Sequence, residues 1–273
     1  MLPKKLGGLI KKLNQEICLS LASIYLFYQQ CSGMNKSHIV IPFLLIVALP
    51  SLSFSQKADD ILKLHYESWG QELISSIRTY ELELSEAKGL LDRKKYKITR
   101  KRPNKIRIDG KWKDQPYIQS FDGLDYWTVA PWRTSSEPDS MSTTEIQSLV
   151  NSMQIDSPLF LAHENAVELE YIGEKIHDGL PYHVIRIKHV EDRWLDYFLD
   201  QQTHQIFKTV ERDQGNEKYI YKETFFKNYK PQVGINIAME YEIRSQGITT
   251  NLIITSVVLG HGVPISFFRK PNP

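Results

Sequence analysis

Between residues 93 and 113 the chain carries eleven Lys/Arg and one acid, Asp109, and within that run Arg102 stands directly before Pro103. Parity places it. Tyr96, Ile98, Ile106 and Ile108 are even, as are Arg100 and Arg102, whereas Lys95, Lys97, Lys101, Lys105 and Arg107 are odd. Side chains alternate faces along a strand, so Arg102 is expected on the apolar face unless a bulge at Pro103 shifts the register. A charge on that face demands a partner, which suits a gated pocket better than a sealed core. The odd-numbered cations read as a solvated outer face.

Other chemistry is thinly supported. The sequence has no H-E-x-x-H, no G-x-S-x-G, no phosphate loop and no Gly-rich dinucleotide fingerprint, so neither an enzyme nor a cofactor is expected. His183 and His189 fall on one strand face but stand roughly 20 Å apart, too far to share a metal, and no metal site is expected. Acid pairs such as Asp122 with Asp125 belong to a turn.

The elements that must position Arg102 follow from periodicity. Ile61, Leu62, Tyr66, Trp69, Leu73 and Ile77 recur at three and four, predicting a helix over 58–77, broken or kinked near Gly70. Ser142-Thr143-Thr144-Glu145 is a capping box opening a second helix over 142–154, with Ile146, Leu149, Val150 and Met153 on one face. From Thr79 the period is two, clearest at Tyr80, Leu82 and Leu84 and from Ile235 to Ile243. Asp109-Gly110, Asp122-Gly123, Asp178-Gly179, Asp200 to Thr203, Gly215-Asn216 and Gln246-Gly247 punctuate the rest at short intervals, which predicts an antiparallel meander. The fold class is α+β, mostly antiparallel β: one curled sheet of about ten strands forming an incomplete barrel, its concave face covered by those two helices. Arg102, with Trp69, Tyr96, Ile98, Ile106, Trp127, Leu149 and Met153 as apolar lining, are the candidate ligand-binding residues.

The N-terminal region reads as an export signal. Met34, then Lys36 and His38, the apolar run Ile39 to Leu49 and the small residues Ser53 and Ser55 form a secretory signal over 34–55, with cleavage after Ser55. Residues 1–33 read as an over-extended gene start, leaving 56–273 as a single domain. Both cysteines, Cys18 and Cys31, precede the cleavage point, so the exported chain has no disulfide, thiol or acylation site. It has 29 basic and 31 acidic residues. Export and that near-neutral balance argue against nucleic acid and predict a periplasmic monomer.

The ordered set of Trp69-Gly70, Lys101 to Arg107, Asp122-Gly123, Tyr126-Trp127, Pro131, Phe198-Leu199-Asp200 with Thr203, Asn228-Tyr229-Lys230 before Gly234-Ile235, and Val263-Pro264 with Phe267-Phe268 resembles the LolA-like outer-membrane lipoprotein-sorting family. The resemblance spans nearly the whole of 56–273. It implies a half-barrel with a helical lid over an apolar cavity, carrying lipoproteins between membranes with their acyl chains hidden. Its partners would be acylated lipoproteins or another lipid, an inner-membrane release complex and an outer-membrane acceptor. It also implies that the arginine of the Arg-Pro motif, Arg102 here, hydrogen-bonds lid segments and keeps the empty cavity shut. Asn236-Ile237-Ala238 stands where such sequences usually place a proline, and related folds also act as envelope sensors or adaptors that bind lipid and signal to a protein partner.

Overall fold

The structure, a computed structural model, describes residues 57–88, 92–112, 114–133, 137–151, 156–188 and 192–271. The expected extension 1–33, the signal 34–55 with its cleavage point, His189 and Met153 lie outside the described residues.

Alternating burial drives the chain into thirteen strands among the described residues: β1 (Thr79–Lys88), β2 (Asp92–Lys101), β3 (Lys105–Trp112), β4 (Gln115–Phe121), β5 (Tyr126–Val129), β6 (Asp139–Ser140), β7 (Leu169–His177), β8 (Leu180–Lys188), β9 (Arg193–Asp200), β10 (Ile206–Asp213), β11 (Ile220–Gln232), β12 (Ile235–Ser245) and β13 (Ile248–Leu259). They form one sheet in the order β6-β5-β4-β3-β2-β1-β13-β12-β11-β10-β9-β8-β7. Two consecutive meanders are thus fused through the antiparallel β1–β13 pair, and β6 and β7 remain as edges. The sheet is an open, curled half-barrel. Its strand count exceeds the ten expected because it includes pieces as short as β6, which no periodicity reveals.

Among the described residues four α-helices accompany it: α1 over 57–69, α2 (Gln71–Ser76), α3 (Thr143–Asn151) and α4 (Pro158–Glu164). Gly70 separates the first two. Its φ of +77° ends α1, and its carbonyl then accepts from Ile74 N–H at 3.0 Å as α2 begins. A Cβ at Gly70 would lie 2.7 Å from Ile235 Cγ2 and 2.8 Å from the Gly234 carbonyl oxygen, so the break is seated on the β11–β12 turn. In α3 the capping box closes: Ser142 N–H donates to Glu145 Oε2 at 2.8 Å and Glu145 N–H to Ser142 Oγ at 3.3 Å. The sequence reading of two covering helices omits α4, whose two turns after Ser157-Pro158 are too short to show a period.

The helices sit on the concave face. Ile61 and Leu62 of α1 and Leu159 and Ala162 of α4 bury against Ile185, Ile187, Tyr197, Leu199 and Ile206, while Ile74 of α2 and Ile77 pack on Tyr80, Leu82, Leu84, Ile235 and Ile237. Leu149 of α3 closes on Ile106 and Met141. These side chains pack into the concavity directly under the helices.

Not all outward cations are solvated, contrary to the sequence reading. The C-terminal segment folds back across the convex face, where Arg107 binds Asp109 and donates Nη1 to the Phe267 carbonyl at 2.9 Å, and Lys101 donates to the Val263 carbonyl. The Arg107 guanidinium also lies over the Phe267 ring, 4.5 Å from its centroid, which anchors this segment to the sheet.

Candidate functional site

The β2–β3 turn fixes the position of Arg102. β2 and β3 pair without a bulge, Arg100 opposite Ile106 and Lys101 opposite Lys105, which leaves Arg102-Pro103-Asn104 as the turn, with Arg102-Pro103 cis. Arg102 therefore lies one residue beyond the strand, but its side chain still goes to the helix-covered side. Nε donates to the Ile77 carbonyl and Nη2 to that of Ile74, each at 3.0 Å, while Nη1 and Nη2 grip the two carboxylate oxygens of Asp156, each at 2.7 Å. The fork thus satisfies carbonyls at the end of α2, where a cation also opposes the helix dipole, and ties them to the segment entering α4.

Asp156 begins a longer polar chain. Gln71 donates Nε2–H to Asp156 Oδ1 at 2.7 Å, and its Oε1 accepts from Ser157 N–H at 2.9 Å. Ser157 Oγ lies 2.8 Å from His65 Nε2, and His65 Nδ1 lies 2.9 Å from the His204 carbonyl oxygen. A carbonyl only accepts, so Nδ1 carries the proton and Nε2 receives the Ser157 hydroxyl hydrogen. Asp200 Oδ1 holds the β9–β10 turn that presents His204, accepting from Gln202 N–H and Thr203 N–H at 2.9 and 2.7 Å. The path runs from the β2–β3 turn through α2, the start of α4 and α1 to the opposite half of the sheet.

The electrostatics keep this path in one protonation state. Burial pulls the His65 pKa down to about 4, outweighing the backbone hydrogen bond, so the ring is neutral at pH 7. Burial pushes Asp156 up, but the hydrogen bonds from Arg102 and Gln71 more than offset it and hold the carboxyl below its usual value. Ser157 and His65 touch as a nucleophile and a base would, yet both are 0 % exposed, so in this conformation no substrate carbonyl reaches Oγ. The arrangement can hold or release helices.

Around the latch the structure gathers some of the expected lining residues and separates others. Ile98, Ile106 and Leu149 share one apolar cluster, and Tyr96, Ile98 and Trp69 pack on the cluster formed with α2. Tyr96, Ile98, Tyr241 and Leu252 stay half-buried on the concave face, so the helices leave part of it accessible. Trp127 is a correction. It lies on the convex side, buried with Nε1 donating to the Phe268 carbonyl at 2.8 Å, because its parity follows Ser120 and not Phe121. Sequence reading missed Gln71, Asp156, Ser157 and His65. Buried polar residues beside apolar positions of a helix, such as His65 between Leu62 and Trp69, were the available signal. A groove of about 1000 Å³ runs between α1, α2 and α4, lined by Leu62, Tyr66, Leu73 and Phe160 and rimmed by Asp59, Glu67 and Glu72, and it contains none of the expected lining residues.

No family model and no curated protein sequence matches the chain. Solved structures do. A LolA superfamily protein from Nitrosomonas europaea is similar with a TM-score of 0.52 at 12 % identity, covering 73 % of this chain and 96 % of that one. The fold is LolA-like. A DUF1329 family protein from Desulfovibrio piger is similar with a TM-score of 0.56 at 13 % identity, over 77 % of this chain and 97 % of that one. A domain from Vibrio parahaemolyticus assigned to outer membrane lipoprotein sorting gives 0.52 at 13 %, with the same coverage. In this LolA-like half-barrel the Arg-Pro turn sits where one side chain spans sheet and helices.

Proposed function

We propose that the protein is an exported periplasmic carrier, not an enzyme, that shelters lipoprotein acyl chains on its concave face during outer-membrane lipoprotein sorting. An inner-membrane release complex would load it and an outer-membrane acceptor would unload it. The observation that carries this reading is the Arg102 fork, which fastens helices over a largely apolar sheet face through polar contacts that can open without unfolding the sheet. The lipoprotein-sorting description of the Vibrio domain supports it.

Magnitudes favour such a device. Burying an acyl chain is worth about 0.8 kcal/mol per methylene, so one chain of roughly fourteen carbons contributes on the order of 10 kcal/mol. Net hydrogen bonds to charged groups contribute about 1.5–3 kcal/mol each, so a latch of a few such bonds is strong enough to hold the empty protein shut and weak enough for cargo to displace. Release then needs only that the latch re-form as the chain leaves.

The test is mass spectrometry of organic-solvent extracts of the protein purified without detergent from the envelope fraction. Acylated peptides or lipids in stoichiometric amount are expected. Their absence from both the free protein and protein cross-linked before lysis would overturn the carrier reading.

A further inference from the structure

The groove between α1, α2 and α4 lies beside the latch and shares its parts. Gln71, whose amide bonds both Asp156 and the Ser157 N–H, is one of its lining residues. Two of its three walls are the elements that Arg102 ties together, α2 through the carbonyls of Ile74 and Ile77 and the segment entering α4 through Asp156. The third, α1, joins them through the contact of His65 with Ser157.

The floor is apolar and partly left to water. Tyr66 is fixed there, its hydroxyl donating to the Leu159 carbonyl at 3.2 Å and its ring meeting Phe160 edge-on at 5.4 Å between centroids. Leu73 is 38 % exposed, and Val233, next to the lining residue Gly234, is 79 % exposed. The rim is acidic. Asp59, Glu67 and Glu72 stand on it against Lys63 and His163. Burial raises the Tyr66 phenol, and the charges of Glu164 and Asp59 raise it further, which places both carboxylates beside that ring. All four acids are exposed, and none has an ion-pair partner among the described residues.

A bare hydrocarbon tail gains nothing from such a rim, and an anionic head group is repelled by it. A peptide segment with leucine-like side chains on one face and lysine or arginine along its flanks gains twice. Its aliphatic groups cover the floor, and its cations meet the carboxylates and the Tyr66 face.

We propose that this groove docks a cationic amphipathic segment of a partner protein, and that docking favours the latched conformation and so expels the acyl chain. The release step rests on the carrier reading; the docking site stands without it. The three walls have their present spacing while Arg102 is closed, so an occupant that touches all of them adds its binding energy to the closed state. Linkage then makes partner and acyl chain weaken each other by the same factor.

The experiment titrates delipidated protein into the fluorescein-labelled peptide Ac-LKKLLKLLKKLLKL-amide and reads polarisation at about 0.15 M salt, where charges more than about 8 Å apart are largely screened. Binding at least about tenfold tighter than to the counterparts with glutamate for every lysine, or serine for every leucine, is expected. Equal binding of the three overturns the site. Glu67→Lys combined with Glu72→Lys, and separately Leu73→Glu, should each weaken binding at least about tenfold. The same charge change at exposed positions of the convex sheet face, Glu83→Lys with Glu170→Lys, should leave it within about twofold. An equal loss there would reduce the effect to net charge and overturn the site. For the release step, saturating peptide should weaken binding of 11-(dansylamino)undecanoic acid at least about fivefold. Unchanged or tighter binding of the acid overturns the expulsion. If Leu73→Glu abolishes binding of the acid and spares that of the peptide, the groove holds tails and the docking proposal falls. Failure of the acid to bind at all overturns the carrier reading, whereas the peptide titration still decides the groove.

Discussion

Asp156 does for Arg102 what no neighbour in sequence can: it gives the fork two oxygens at 2.7 Å on the far side of the helix end. Asp156→Asn keeps the shape and removes the charge. It should destabilise the closed protein by roughly 1–3 kcal/mol and speed hydrogen exchange in α2 and α4 ahead of the sheet. Unchanged exchange there would show that the pair holds nothing. Arg102→Leu should retain bound acyl probe longer, since every ~1.4 kcal/mol removed from the closed state raises apparent affinity up to tenfold, and dissociation rates in a transfer assay check it. His65 supplies a pH signature. Its folded pKa of about 4 lies below the unfolded value near 6.5, so the unfolded chain binds more protons between them. Stability is full above about pH 6.5 and falls by on the order of 3 kcal/mol as pH drops to 4. Asp156 is depressed as well, but from a lower ordinary value, so its contribution is lost only as pH falls below that value. His65→Gln should flatten the upper slope in urea titrations and leave the lower one. Of this network parity made Arg102 legible, but Asp156 lies across a segment with no period and His65 reads as one more polar residue in a helix.

Among the elements, the α1–α2 break is the most constrained. Gly70→Ala puts a methyl group against Ile235 and the Gly234 carbonyl at a φ that L-residues avoid. Together these should cost roughly 2–4 kcal/mol, read as a lower urea midpoint with the same slope. Ser142→Ala, by contrast, removes a cap on a largely exposed first turn and should cost about 1 kcal/mol. Both positions were legible, the glycine as an interruption of a 3.6 period and the serine as the first letter of a capping box. The strands were legible wherever one face is wet, as in β1 and β12. Trp127 was misplaced because a second buried surface, under the C-terminal turn, gives the convex side the apolar appearance of a core.

At the scale of the whole molecule, the sheet is two meanders that share one seam. Leu84 pairs with both Tyr96 and Ile254, so a single side chain bridges the halves. Leu84→Ala should cost about 2–5 kcal/mol and lower both halves together, giving coincident transitions by tryptophan fluorescence and circular dichroism. Separate transitions would mean that the halves are independent. The seam was invisible in the sequence, because turn signals report which strands follow one another and say nothing about which distant strands meet. Tyr80 finds its partner Leu259 only after nearly every other strand has been made. A polypeptide threaded N-terminus first through a membrane pore would therefore emerge with β1 exposed along one flank, open to stray pairing, until the last strand clears the pore and closes the seam.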